Sequence, residues 1–203
     1  MPSSDFARFR HSFFEDRNSA RDGLDTAALG RLAGAERTAA EGMLLDALPD
    51  TRAVIGLGVL RAARAETALM QIIAGVGDAV SDPERVELAR ALWRIRPDQR
   101  WCETLTRLLA TGEAWTVRLG AAVALRDVAD VAAVSALAAA LDDREALVRH
   151  HAAVSLLALH DRPHQTSDPQ HMIYRVMSED EARRNGGRQD VLAAIAGCPL
   201  APR

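Results

Sequence analysis

One octet of residues recurs along the chain at a nearly fixed interval. Arg118-Leu-Gly-Ala-Ala-Val-Ala-Leu125 superposes on Arg149-His-His-Ala-Ala-Val-Ser-Leu156 at an offset of 31, and on Arg85-Val-Glu-Leu-Ala-Arg-Ala-Leu92 at an offset of 33. Ala53 to Leu60 is a weaker fourth copy. A period of this size means that one small supersecondary unit is repeated, and such a unit cannot bury its apolar side alone. Successive copies must therefore stack and share a core.

Each copy is helical, because small and large apolar residues return at spacings of three and four. Alanine occupies 39 of 203 positions, which favours close-packed helices over strands. Between the copies runs a second helical pattern: Leu69, Ile72 and Ile73, then Leu105, Leu108 and Leu109, then Val134, Leu137 and Leu141. The unit is a two-helix hairpin. Pro49-Asp50, Ser81-Asp82-Pro83, Pro97-Asp98, Thr111-Gly112 and Asp142-Asp143 mark its turns. These signals predict helices near 36–48, 51–62, 65–75, 83–96, 98–110, 113–127, 130–142 and 145–160. Alanine at 89, 122 and 153 should let helix axes approach, and leucine at 92, 125 and 156 should fill each layer.

The stretch Glu113-Ala-Trp-Thr-Val-Arg-Leu-Gly-Ala-Ala-Val-Ala-Leu125, with the matching run from Val131 to Leu156, resembles the HEAT-like repeats of bacterial α-solenoids. These include repeats related to phycobilisome lyases. The shared pattern is an acidic turn, Val-Arg, a pair of alanines and Ala-Leu. The likeness is strong over 83–160 and weaker back to 36. It implies an all-α fold: a right-handed alpha-alpha superhelix of about four helical hairpins. Residues 36–160 would be repeats, 1–35 N-terminal capping helices and 161–203 a C-terminal capping segment. The resemblance also implies a non-catalytic module that binds another protein on a concave face formed by the second helices, as scaffold, adaptor or immunity-type inhibitor. It carries no catalytic residue across. The alternatives within reach of the same fold are a nucleic-acid enzyme of the HEAT-like DNA glycosylase type and a bilin lyase-like protein. HEAT-like deoxyhypusine hydroxylases hold iron with His-Glu pairs, and this chain has no His-Glu dipeptide.

What the chain lacks narrows its chemistry. All 25 basic residues are Arg, so every lysine-based mechanism is excluded. No glycine-rich phosphate loop is present, since Gly56-Leu57-Gly58 sits inside an apolar helical pattern. Cys102 and Cys198 are expected as plain thiols. No nucleophile, base and orienting acid assemble, and no cofactor is expected. A net charge of -3 disfavours nucleic acid as partner. With neither a membrane-length apolar run nor a signal-peptide core in the sequence, a cytoplasmic protein is expected.

Several side chains remain as candidates. Arg85, Arg118 and Arg149 follow acidic turn residues and are expected to bond to them, fixing hairpin geometry. From Arg85 to Arg126 eight arginines face four acids, and Trp93, Trp101 and Trp115 fall in the same stretch. Arg and Trp are the side chains most typical of binding hot spots. Arg90, Trp93, Arg94 and Arg126, with His150, are therefore the predicted partner-binding residues. At least one Trp should line the groove. His150, His151, His160, His164 and His171 cluster within 22 residues, but no ligand pattern completes a metal site. Phe6, Phe9 and Phe13 should form a lid over the first hairpin. Ser178 to Glu181 reads as a capping box opening a helix that Gly186 and Gly187 weaken or break. Ser135 and Ser155 should bond back to their own helices.

Overall fold

A computed structural model describes residues 2–15, 23–75 and 80–201, and every element among them is a helix. The chain divides into two compact units, Met1–Pro97 and Asp98–Arg203. Both are stacks of helical hairpins, and the fold is all-α, of the α-solenoid class.

In the first unit α1 (Ser4–Arg10), continued by a π-helical turn, lies on α2 (Thr26–Arg31). Phe6, Phe9 and Phe13 are buried, as the lid reading requires, whereas Phe14 is exposed. Arg31 pairs with Asp5 and Arg8 with Asp25, tying α1 to the α2 segment at both ends. Then come α3 (Gly34–Asp46), α4 (Thr51–Val59), α5 (Glu66–Ile73) and α6 (Asp82–Ile95). The second helices α4 and α6 pack directly on each other. Gly58 makes this possible: a Cβ there would lie 2.8 Å from the Ala91 Cα. The turns are built from the residues expected. Asp50 caps α4, and Ser81 and Glu84 form a complete capping box on α6.

The second unit contains α7 (Gln99–Thr111), α8 (Trp115–Ala124), α9 (Val131–Ala139), α10 (Ala146–Leu159), α11 (Met172–Arg175) and α12 (Glu181–Ile195). Short 3-10 turns extend α8 and α9 to Asp127 and Asp142, which brings these helices close to their predicted lengths. First helices α7 and α9 pack side by side, and α8, α10 and α12 form the second row. Ala122, Ala153, Leu125 and Leu156 are fully buried, in keeping with their assigned columns.

The arginine column proves to be the bolt of each hairpin, with different partners from those expected. Arg118 Nη1 donates to the carbonyls of Gly112 (2.8 Å) and Glu113 (3.1 Å), and Arg149 Nη1 to those of Asp143 (2.8 Å) and Arg144 (3.0 Å). The turn supplies its backbone carbonyls, not its carboxylate. The carboxylate comes from the following turn instead: Arg118 Nε and Nη2 donate to Asp143 at 2.7 and 3.0 Å. Arg85 reaches the carbonyls of Ile73 and Val80.

The C-terminal helix corrects two expectations. Asp180, not Ser178, is the N-cap, accepting from the Arg183 N–H at 2.7 Å. Gly186 and Gly187 leave the helix unbroken. Gly187 is a close-approach glycine, since a Cβ there would lie 2.8 Å from Arg175 Cβ and Val176 N. Docking against α11 offsets the weak helix propensity of the pair. Arg184 Nη1 donates to the carbonyls of Ser178 (3.3 Å) and Glu179 (3.4 Å), repeating the pattern of Arg118 and Arg149. Measured from Arg184, Gly187 and Val191 fall in the buried columns of Ala121 and Leu125.

Candidate functional site

Contacts between α8 and α10 fix their relative direction. Arg144 reaches the Glu113 carbonyl, Arg118 reaches Asp143, Ser155 Oγ donates to the Ala122 carbonyl at 2.9 Å, and Arg126 Nε lies 3.5 Å from Ser155 Oγ. The positions advance together on both helices, so the helices run parallel and equivalent residues line up. Ser155 thus bonds across to α8, unlike Ser135, which does bond back to Val131. An alanine-rich interface leaves a backbone carbonyl within reach of a neighbouring hydroxyl.

The parallel pair presents one exposed stripe. On α10 it holds Leu147, His150 and His151, three to four residues apart and therefore on one face. Leu147 is 42% exposed, Trp115 at the start of α8 is 41% exposed, and Tyr174 on α11 is 36% exposed. His150 is held against α11: its Nδ1 lies 2.8 Å from the Ile173 carbonyl, and its ring stacks on Tyr174 at 5.5 Å. The carbonyl can only accept, so Nδ1 carries the proton and Nε2 is the remaining nitrogen. The His151 ring stands edge-on to His150 at 5.2 Å, and its Nδ1 is buried with no hydrogen-bond partner. Burial pushes the His151 imidazole below its ordinary pKa, and nearby His150 and Arg126 push it the same way.

The predicted partner-binding residues divide between the units. Arg90, Trp93 and Arg94 are half-buried on α6 in the first. Arg126, in the turn after α8, and His150, on α10, lie in the second, where the charge of each bears on His151. Of the tryptophans, Trp101 is buried, with the Arg100 guanidinium 4.5 Å from its ring centroid, Trp93 is half-buried and Trp115 is open. Sequence reasoning singled out neither Leu147 nor Tyr174. The signal was present for Leu147, which lies one helical turn before His150; Tyr174 lay in a segment without periodicity.

Some other polar groups are engaged in holding the fold. Cys102 points its thiol at Asp130, 3.8 Å away, and burial together with that carboxylate pushes its pKa up to about 11. His160 closes α10 at its C-terminal cap, and its Nδ1 contacts the Cys198 carbonyl at 3.1 Å. His164 lies beyond the helix end, its Nδ1 2.8 Å from the Arg162 carbonyl. Among the described residues no group of three or more His, Cys, Asp or Glu side chains could hold a metal ion.

Residues 68–157 match the family model for HEAT repeats. That stretch is HEAT-like. It begins in α5 and ends in α10, so it takes in the hairpins with the clearest alanine and arginine columns and covers just under half the chain. No curated protein matches the sequence. No helix among the described residues is long and apolar enough to cross a membrane.

Proposed function

We propose that this HEAT-like chain is a protein-interaction module of the cytoplasm, a scaffold, adaptor or inhibitor, with no chemistry of its own. The observation that carries the reading is the stripe on α8, α10 and α11. Trp115, Leu147 and Tyr174 are open there, and Tyr174 stacks on His150. Large apolar side chains exposed together beside imidazole and guanidinium groups suit a protein partner, which supplies both apolar area and charge. Arg126 belongs to this surface. Arg90, Trp93 and Arg94 are the contribution proposed for α6 in the first unit.

The test is affinity capture from the native host with wild-type protein and with Leu147→Glu and Trp115→Ala. Both side chains are too exposed for their loss to unfold the stack, so melting temperatures should stay within a few degrees. The expected result is one or a few proteins retained by the wild type and lost from both variants. Retention of the same proteins by both would reject this surface.

A further inference from the structure

Arg118 and Arg149 each have two working edges, whereas Arg85, among the described residues, reaches only back, to the Ile73 and Val80 carbonyls. The Nη1 edge closes its own turn, identically in Arg118, Arg149 and Arg184. The Nε and Nη2 edge reaches forward to the next hairpin. In Arg118 it holds both oxygens of Asp143, and in Arg149 it holds the carbonyls of Val176 (2.7 Å) and Met177 (3.2 Å). In Arg184 neither Nε nor Nη2 meets a protein acceptor among the described residues, and neither is among the buried unpaired nitrogens.

From this serial equivalence we infer that the forward edge of Arg184 is a docking point for an acidic turn of a protein partner, taken as Arg118 takes Asp143. The inference rests on the protein-binding function proposed above and names the chemistry of one contact. A planar guanidinium fork matches a carboxylate with two parallel bonds, and such charge-assisted pairs are the strong ones. Asp143 shows the form the ligand takes: besides its bonds to Arg118, its Oδ1 accepts the Glu145 N–H at 2.8 Å, so the carboxylate sits at a helix-opening turn. Glu179 stands beside Arg184 as Glu113 stands beside Arg118, and that neighbour does not prevent the Asp143 pairing. The surrounding surface of α12, with Asn185 and Gln189 exposed, suits a polar turn better than an apolar helix.

The probe is the capped tetrapeptide Asp-Asp-Arg-Glu, the sequence of the 142–145 turn, against a control with Asn and Gln in place of the acids. Arginine Nε–H resonances of the intact protein report binding. The expected outcome is a saturable shift of the Arg184 signal with the acidic peptide only, the Arg118 and Arg149 signals staying still. Arg184→Lys, which keeps the charge and loses the fork, should weaken the peptide about fivefold as seen at neighbouring amides. An Arg184 shift no larger than that from the control peptide or from sodium chloride of equal ionic strength overturns the inference. So does unchanged affinity in the lysine variant. If the peptide fails while Leu147→Glu still abolishes capture, the docking point falls and the protein-binding reading stands; the reverse result rejects the α8–α10 stripe alone.

Discussion

The most exposed bet at the level of single residues is His151. Its folded-state pKa lies below the ordinary value of 6.5. On acidification past that value the unfolded chain binds a proton that the folded chain refuses, so stability falls as pH drops and rises as it is restored. His151→Gln should lose less melting temperature between about pH 7.5 and pH 5.5 than the wild type, and an equal loss would show that another group sets the acid response. Asp143 carries the opposite sign. Burial works against its charge, yet Arg118 and the Glu145 N–H outweigh that and hold its pKa below 3.8. Its contribution is present above that value and disappears as pH falls further. Asp143→Asn leaves the buried Arg118 without a counter-charge and should cost about 3 kcal/mol in urea unfolding.

Among the elements, α12 gives the sharpest contrast between neighbours. A Cβ at Gly186 meets nothing closer than Arg175 Nη1 at 3.7 Å, whereas at Gly187 it would strike Arg175 Cβ and Val176 N. Gly186→Ala should stabilise by about 0.5 to 1 kcal/mol through helix propensity, and Gly187→Ala should destabilise by more than about 1 kcal/mol, both read from chemical denaturation. In α8, Ala122→Leu should overpack the stack and cost about 1 to 3 kcal/mol. The eight helices from α3 to α10 were legible within a few residues, because alanine columns, capping acids and prolines all spoke for the same boundaries. The α12 register was not. Arg188 and Gln189 stand where the α8 copy has alanine and valine, so the apolar signal is lost while the arginine, small and aliphatic columns persist. Likewise the forward bond from Arg118 to Asp143 could not be read locally, since it joins residues in different hairpins.

For the molecule as a whole, charge is the discriminating quantity. A chain of net charge -3 has little to neutralise phosphates with, so a random DNA duplex should show no retardation at micromolar protein in low salt. Retardation there would favour the glycosylase-type alternative instead. The stripe on α8, α10 and α11 was only half foreseen: His150 and Arg126 were picked out, but the aromatic and aliphatic surface around them became visible only once α8 and α10 were laid parallel.

Arg118 and Arg149 both reach forward to the following hairpin, and this gives the second unit a polarity in how it tolerates shortening. Truncation just after Arg175 would strip the Val176 and Met177 carbonyls from Arg149, stranding a buried cation in a helix that the cut never touched. Trimming from the amino end takes no acceptor away from Arg118 or Arg149 until it reaches Gly112, whose carbonyl Arg118 holds.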